Sequence, residues 1–376
     1  MLFSDVVAQT TLSNRFRECI KSGNVAHAQL LDGAEGSGAL ALARAYAQYL
    51  HCTDRTEEDS CGKCTSCVAH SKLQHPDLHW AFPFFKKDSS GRSISAPFQT
   101  AWREVMLDSA YIGQEEWLAK IGADKKQLFI SVDEALEINR KLRLKAFHSG
   151  YKVLIFWLPE TMRVDTANKL LKLIEEPTDN TVILFVSQNS DKLLATILSR
   201  LQRFKVPRLS DEDAASGLAK IAGLTLEQAM GLVHVTEGNI TAAKRLAKAS
   251  SETPDLELFS AWMRACWARN AESMMMQAND FAAQGREAQK SFITYALHMV
   301  RQCIVGNYGA TSLVRLTSGE AVFLSKFQKF IHHQNVVKIT SLLEAAHKDI
   351  TGNVNSKIVF MDLSVQIHML LRKEAA

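Results

Sequence analysis

Two continuous apolar runs constrain the fold more than any other feature of the sequence. Residues 152–158 (KVLIFWL) and 181–187 (TVILFVS) lack the alternation of polar and apolar side chains that marks a strand with one face in water. Each run is typical of a strand buried on both faces of a parallel sheet, and Pro159 ends the first one. Shorter strands are predicted at residues 28–31, 128–130 and 203–206. Because helical segments alternate with these strands, the predicted fold class is α/β with a doubly wound parallel sheet.

Polar residues at two positions predict where helices of this domain begin. Ser131 and Glu134 have the spacing of a capping box, which places a helix start at this point. Asp165 is expected to cap the following helix, and Pro177 is expected to end it. The apolar residues expected to face the core from these two helices are Ala135, Ile138, Leu142, Leu170, Leu171 and Ile174.

A glycine-rich loop joins the first predicted strand to the next helix. Its sequence, GAEGSG from Gly33 through Gly36 to Gly38, has the glycine spacing of a phosphate-binding loop, G-x-x-x-x-G-K-[S/T]. Ala39 and Leu40 stand where the lysine that contacts the phosphates and the hydroxyl that binds Mg²⁺ are needed. The loop is therefore predicted to be degenerate and to bind no nucleotide, although its backbone amides could attract an anion.

The end of the strand at residues 152–158 lacks another catalytic residue of an active phosphate-loop enzyme. Leu158 and Pro159 stand where such an enzyme carries an aspartate that supports Mg²⁺. Glu160 is the nearest carboxylate, and an ordinary surface acid is its favoured interpretation over a metal partner. Since the lysine, the hydroxyl and the aspartate are all missing, we expect no ATP hydrolysis by this chain alone.

Four of the seven cysteines lie within sixteen residues. Cys52, Cys61, Cys64 and Cys67 have the spacing C-x8-C-x2-C-x2-C, and a C-x2-C hairpin places two sulfur atoms on one metal ion. Four thiolates close a tetrahedral shell around Zn²⁺ and leave no position for water, so the predicted zinc is structural. Free thiols or a redox pair are the alternatives. A zinc finger that reads nucleic acid is disfavoured, because no basic recognition helix follows the cluster.

Ser199 and Arg200 follow the apolar strand at residues 181–187. An arginine near the carboxyl-terminal edge of such a sheet can reach across a subunit interface and stabilise the charge of a transferring phosphoryl group in a neighbouring site. Taken alone, a solvated surface side chain is the simpler interpretation of Arg200.

Composition and charge describe an ordinary globular chain. Of its 376 residues, 47% are apolar and 22% are charged, as in typical globular domains. No apolar run approaches the length of about 18 residues that a membrane-spanning helix needs. The net charge of +4 permits proximity to nucleic acid without requiring it. The start of the sequence has no basic segment followed by an apolar one, so no secretory signal is expected.

The strands stop after Pro207, which divides the chain into three predicted domains. We expect an α/β domain at residues 1–207, a small helical unit at 208–252 and a helical C-terminal domain at 253–376. Within the first domain, residues 81–127 are predicted to be irregular and of mixed charge.

Several motifs together resemble the delta-prime subunits of the bacterial DNA polymerase III clamp loader, which are AAA+ proteins. They are GAEGSGAL at 33–40, CGKCTSC at 61–67 with the upstream Cys52, HPD at 75–77, ANKLLKLIEEP at 167–177 and LLATILSR at 193–200, while NVNSKIVFMDL at 353–363 resembles the end of the family's collar. The resemblance covers residues 1–80 and 128–250 well. It implies an AAA+ domain with an inserted zinc module at about residues 51–77, a helical lid and a helical collar. Leu201 departs from the family's SRC motif, which Ser199 and Arg200 otherwise match.

Residues 81–127 are longer than the compact pattern of this family needs, so the resemblance implies that they are an insertion. A connection of this length is either functional or disordered, and its many aromatic residues favour a packed surface subdomain over a free linker.

The resemblance implies a subunit that does not hydrolyse ATP itself. The expected partners are the tau or gamma motor subunits and a delta subunit in a hetero-pentamer, the sliding clamp and, through the complex, primer–template DNA. Arg200, with Ser199 beside it, would act as an arginine finger in trans in the site of an adjacent motor subunit. The expected cofactor is structural Zn²⁺ without ATP, and the expected location is cytoplasmic and nucleoid-associated, with no membrane partner.

Three other functions are alternatives to this one. An active AAA+ motor subunit of the same loader would share the zinc module but would bind nucleotide, which Ala39 disfavours. A zinc-dependent nucleic-acid-binding protein with no loader is the second alternative, and the motifs at residues 167–177 and 199–200 weigh against it. A hydrolytic enzyme is disfavoured, because no Ser/His/Asp or Glu/His arrangement has motif spacing.

Overall fold

A five-stranded parallel sheet organises the amino-terminal part of the chain. Its strands are β1 (Ala28–Asp32), β2 (Leu78–Ala81), β3 (Lys152–Trp157), β4 (Thr181–Ser187) and β5 (Gln202–Lys205), in the order β2-β3-β4-β1-β5. All four neighbouring pairs run parallel. Every residue of β3 and β4 is buried, as the two apolar runs predict. The prediction of a parallel α/β sheet is therefore confirmed.

The computed structural model describes residues 1–86, 92–123, 126–147, 150–249, 255–309, 314–316, 318–352 and 354–372. The chain separates into two compact units, which are residues 1–217 with 238–241 and residues 218–237 with 242–376. The predicted lid at residues 208–252 is divided between these units, and the three-domain division remains a prediction. Part of the insertion, residues 87–91 and 124–125, and the first residue of the motif at 353–363 lie outside the described residues.

One predicted strand is wrong and another was missed. Residues 128–130 make only isolated bridges, in which Phe129 pairs with Phe84 and Ile130 with Met162. The edge of the sheet is formed instead by β2, which pairs with β3 in register from Leu78 to Ala81. Strand β2 has four residues, and its two central side chains are only partly buried, so it carries no apolar run to mark it. Phe129 contacts the insertion, which the sequence pattern did not reveal.

Helices surround the sheet and carry the insertion. In the first unit they are α1 (Thr10–Lys21), α2 (Ala39–His51), α3 (Thr65–Ser71), α4 (Gln99–Asp108), α5 (Gln114–Lys120), α6 (Val132–Leu142), α7 (Val164–Glu175) and α8 (Ala195–Leu198), and α9 (Asp211–Ala222) crosses into the second unit. Helices α6 and α7 bury the predicted apolar faces, with Leu171 only partly buried. Asp165 is not the cap of α7, since it lies in the first turn and Arg163 is the capping position.

Only one of the two hydrogen bonds of the capping box predicted at α6 is present. The Glu134 side chain, which would form the other one, binds the insertion instead. Ser131 Oγ accepts the Glu134 N–H at 3.0 Å, as predicted. The Glu134 carboxylate does not return to Ser131. It accepts the Ser95 N–H and hydroxyl, both at 2.7 Å, and Ser131 Oγ also donates to the Ser93 carbonyl. Glu134 is 1% exposed, and burial raises the pKa of its carboxyl group. The hydrogen bonds from Ser95 act in the opposite direction and lower this pKa, but burial has the larger effect. The insertion is thus fixed to the start of α6.

The insertion contains helices α4 and α5 and is not irregular throughout its described part. Its aromatic side chains pack into one cluster. Trp102 stacks on Phe82 at 4.5 Å between ring centroids and meets the Trp117 ring edge-on at 5.2 Å. Trp117 is fully buried and donates Nε1–H to the Pro83 carbonyl at 2.7 Å. Trp102 also contacts Trp157 at the end of β3, at 5.1 Å. The described part of the insertion therefore packs around these aromatic rings and against β3, while a separate surface subdomain remains a prediction.

The second unit is helical in its described residues. It contains α10 (Leu226–Val235), α12 (Asp255–Ala268), α13 (Ala271–Ala283), α14 (Arg286–Asn307), α15 (Ser318–Phe327), α16 (Val336–Thr351) and α17 (Ser356–Leu371), while α11 (Ile240–Ala249) begins in the first unit. Its core is built around aromatic residues such as Trp262, Phe281 and Phe360, which are at most 1% exposed. Across the described ranges, no helix combines the length and apolar character needed to cross a bilayer.

Candidate functional site

The glycine loop joins β1 to α2 at the carboxyl ends of the sheet strands. Gly36 and Gly38 adopt left-handed backbone angles, with φ of +80° and +86°. A Cβ on Gly36 would overlap Asn239 Oδ1 and lie 2.8 Å from the Ile240 nitrogen, while one on Gly33 would lie 2.8 Å from Val206 Cβ. Glycine is needed at Gly36 for its backbone angle and for the close packing around it.

The positions that should carry catalytic groups are apolar and buried. Ala39 and Leu40 form the first turn of α2 and are 6% and 5% exposed. Leu158 follows β3, is 1% exposed and has a left-handed φ of +52°. Among the described residues that line the loop cavity, none is lysine, arginine or histidine. The loop therefore offers backbone amides but no cation for phosphate oxygens.

Little space is left over the loop. The cavity there measures about 20 Å³, room for about one water molecule. Small-molecule pockets of proteins are on the order of 300–1,000 Å³. The Tyr111 ring lies against Gly38, where a Cβ would be 3.4 Å from the ring. Tyr111 is 4% exposed, its hydroxyl accepts the Val7 N–H at 2.8 Å, and burial raises its pKa to about 12.

Glu160 is not the ordinary surface acid expected from the sequence. Its carboxylate accepts the Ser187 hydroxyl at 2.9 Å and the Gln188 and Asn189 N–H groups at 2.9 and 3.2 Å. Burial raises its pKa, and these hydrogen bonds act against that rise. Glu160 therefore holds the turn after β4 in place, a role that its position after a proline did not reveal.

The four clustered cysteines lie as the spacing predicts. Sγ of Cys52 is 3.6 Å from Sγ of Cys61 and 4.0 Å from Sγ of Cys64, and all four sulfur atoms lie within 4.8 Å of one another. Ligands about 2.3 Å from a tetrahedral zinc ion are about 3.8 Å apart. Sulfur atoms in a disulfide would be about 2.05 Å apart. The cluster thus has the dimensions of a four-thiolate zinc site, and all four residues are free thiols.

Backbone amides support the thiolate form of one ligand. Cys64 Sγ accepts the Cys67 N–H at 3.4 Å, and the Cys61 and Cys52 sulfurs accept the N–H groups of Cys64 and Cys61 at 3.3 Å. Burial raises the pKa of Cys64, but hydrogen bonds from Cys67 and Thr53 outweigh it and lower the pKa to about 6. A deprotonated Cys64 sulfur is the form that binds a metal ion.

A second buried group, which sequence reasoning missed, lies directly beside the cysteines in the sequence. His51, His70 and His75 are at most 8% exposed. His51 Nδ1 lies 2.8 Å from His70 Nε2, and the rings of His51 and His75 stack at 4.1 Å. Burial lowers the pKa of His51 to about 4 and that of His70 well below its ordinary value. The His51 and His70 rings are therefore neutral, and the three rings form a packed, hydrogen-bonded cluster. In the sequence, the HPD motif at residues 75–77 was the signal that could have pointed to this cluster, since it contains His75.

Ser199 and Arg200 lie after the short helix α8. The Arg200 guanidinium contacts the Glu175 carboxylate at 2.6 Å and donates to the Thr196 carbonyl at 2.7 Å. It also donates to Ser199 Oγ at 3.3 Å. The side chains of Arg200 and Glu175 are 36% and 46% exposed. The structure therefore places Arg200 at the surface. Arg200 is not among the residues that line the cavity over the glycine loop.

A comparison with known families identifies the chain. Residues 8–210 match the family described as DNA polymerase III, delta subunit. The chain belongs to this family. The matched residues include the glycine loop, the cysteine cluster and Arg200, and the match confirms the resemblance to delta-prime subunits stated from the motifs.

Individual relatives are similar to this chain over only part of its length. DNA polymerase III subunit delta' of Haemophilus influenzae is 29% identical over 188 residues, which are 50% of this chain and 45% of that protein. Subunit delta' of Pseudomonas aeruginosa is 31% identical over 175 residues, 46% of this chain and 41% of that protein. Subunit tau of Bacillus subtilis is 23% identical over 219 residues, 58% of this chain and 31% of that protein. The chain thus spans less than half the length of these relatives.

The packing of the glycine loop predicts the outcome of a matched pair of substitutions. Gly36→Ala and Gly23→Ala both place alanine at a left-handed φ, of +80° and +70°, which costs about 1–2 kcal/mol. No described atom lies within 4 Å of a Cβ on Gly23, so only Gly36→Ala also creates an overlap, worth about 1–3 kcal/mol more. The free energies of unfolding from urea titrations measure the difference. Equal losses in the two variants would contradict the described packing.

Proposed function

We propose that this chain is a non-hydrolysing, delta-prime-like subunit of a bacterial clamp loader, which supports ATP-dependent loading of the sliding clamp onto primed DNA. The observation that carries the proposal is a phosphate loop with a cavity of about 20 Å³ and no cation among its described lining residues, in a chain of the DNA polymerase III delta subunit family. The proposed partners are tau or gamma motor subunits, a delta subunit and the clamp, with DNA bound through the complex.

The chemistry of phosphoryl transfer supports the non-hydrolysing role. Catalysis of this reaction rests on positioning the nucleotide and on neutralising charge with a lysine and Mg²⁺. Ala39 and Leu40 supply neither group, and Leu158 cannot position Mg²⁺. An active motor subunit is the alternative, and the similarity to tau subunits over 58% of this chain is the observation that favours it. ATP turnover by the isolated chain would distinguish the two.

Arg200 is proposed to act in trans on the site of a neighbouring motor subunit. Its guanidinium is partly exposed and is held by Glu175 and the Thr196 carbonyl. An exposed ion pair of this kind contributes about 0–1 kcal/mol, so exchanging Glu175 for phosphoryl oxygens costs little. The planar, permanently charged fork of arginine matches the oxygens of a phosphoryl group. Ser199 contributes a hydroxyl that orients one arm of the guanidinium.

The cysteine cluster is proposed to bind one structural zinc ion. Cys52, Cys61, Cys64 and Cys67 would hold it, and the bound ion would cross-link the segment between α2 and α3. Four protein ligands leave the ion without a reactive position. The cytoplasmic, nucleoid-associated location expected from the sequence remains a prediction.

Metal analysis of the purified full chain tests the zinc site. We expect about one equivalent of zinc in the wild type and a large loss in Cys64→Ser, because structural zinc contributes about 10–16 kcal/mol of binding free energy through its complete ligand set. Cys19→Ser is the matched control, since Cys19 lies in α1 outside the cluster and should retain the metal. Well under one equivalent in the wild type would overturn the assignment.

Reconstituted loaders test the role of Arg200. Arg200→Ala should lower the clamp- and DNA-stimulated ATPase rate and clamp loading while leaving assembly unchanged, since the side chain is partly exposed. A single isolated finger contributes about 10³–10⁵ in rate, and a loader with several sites should lose less. Arg200→Lys should not restore the rate.

Glu175→Gln is the control for this experiment. It removes the ion pair but keeps the guanidinium, so a loader with this variant should retain its ATPase rate. If Arg200→Ala loads clamps at the wild-type rate, or if Glu175→Gln reproduces its deficit, Arg200 is only a surface ion-pair residue.

A further inference from the structure

The insertion brings its own residues into the phosphate loop. Ala110, Tyr111 and Ile112 line the small cavity over the loop, and all three are at most 7% exposed. The Tyr111 ring covers Gly38, the last glycine before α2. Backbone amides at this end of a phosphate loop are the groups that cradle phosphates. The ring therefore lies on the surface that a nucleotide would use.

The segment that fills the loop is fixed at several points. The Tyr111 hydroxyl accepts the Val7 N–H at 2.8 Å, which connects it to the amino-terminal segment. Arg44 of α2 donates to the Met106 carbonyl at 2.6 Å, which ties the end of α4 to the helix that follows the loop. The buried aromatic cluster around Trp117 holds the other side of the segment. These contacts make residues 110–113 a packed part of the first unit.

Glu35 connects the phosphate loop to the end of the inserted segment. Glu35 belongs to the loop itself, and its carboxylate lies so close to Gly113 that a Cβ there would be 2.8 Å from Oε2. Asn239 Nδ2 donates to the same carboxylate at 3.4 Å. The contact with Gly113 also couples the loop to the end of the inserted segment.

We propose that residues 110–113 of the insertion are a built-in occupant of the phosphate loop, in which the Tyr111 side chain takes the place of a nucleotide. The segment is a second reason, independent of the missing lysine, why the loop binds no nucleotide. It also orders the loop and the amino-terminal segment without any ligand, through the contact with Gly38 and the hydrogen bond to Val7. This assignment rests on the geometry of the first unit and holds whether or not the chain acts in a clamp loader.

Amide hydrogen exchange on the full chain tests the ordering role. Tyr111→Ala should speed exchange of Val7 and of residues 36–42 at least tenfold. Phe98→Ala is the matched control, because it removes an equally buried aromatic side chain from the insertion that does not line the loop cavity. Tyr111→Phe keeps the ring and should speed exchange at Val7 alone. Unchanged exchange of the loop in Tyr111→Ala, or of Val7 in Tyr111→Phe, would overturn the proposal.

MgATP as a probe tests whether the side chain stands in a nucleotide's place. Two chains are compared, both with Ala39→Lys and Leu40→Thr, and one of them also with Tyr111→Ala. MgATP should slow exchange of residues 36–42 at least tenfold only in the chain that lacks the tyrosine ring. If MgATP slows exchange of residues 36–42 in the chain that retains Tyr111, the segment does not exclude nucleotide. Absence of protection in both chains shows that a nucleotide cannot replace the ring, and either result overturns the proposal.

Discussion

The contact of Tyr111 with Gly38 is the constraint on which the rest of the site depends. Gly38 has a left-handed backbone, and α2 begins directly after it. The ring that covers it belongs to an insertion that leaves the sheet after β2 and returns at α6, where Glu134 accepts two hydrogen bonds from Ser95. Loop, insertion and sheet therefore fix one another, and the apolar residues Ala39, Leu40 and Leu158 lie in a closed interior.

The parts of the fold that were predictable from the sequence are those that bury long apolar runs. Strands β3 and β4 have no solvent face, so their sequences could not be mistaken for loops. Strand β2 was missed because an edge strand of four residues leaves His79 and Trp80 only partly buried. Residues 128–130 look like a strand, but Phe129 pairs with Phe84, a contact between distant segments that no local pattern encodes.

At the candidate site too, local sequence features were predictable and contacts between distant segments were not. The replaced lysine and hydroxyl positions and the cysteine spacing are local features, so the sequence identified them. The occupant of the loop, the triad of histidines beside the cysteines and the anchoring role of Glu160 depend on residues that meet only after folding. The insertion was recognised as packed from its aromatic content, but nothing local connects Tyr111 to a loop more than 70 residues before it.

The central claim is that the phosphate loop is closed to nucleotide, and calorimetric titration of MgATP into the purified wild-type chain tests it most directly. The small cavity and the absence of a cation among its described lining residues predict no saturable heat at millimolar nucleotide. A millimolar dissociation constant corresponds to a binding free energy of about −4 kcal/mol. Stoichiometric binding with a micromolar dissociation constant would contradict the account, because it would require the loop to open and to hold phosphates without lysine or Mg²⁺ contacts.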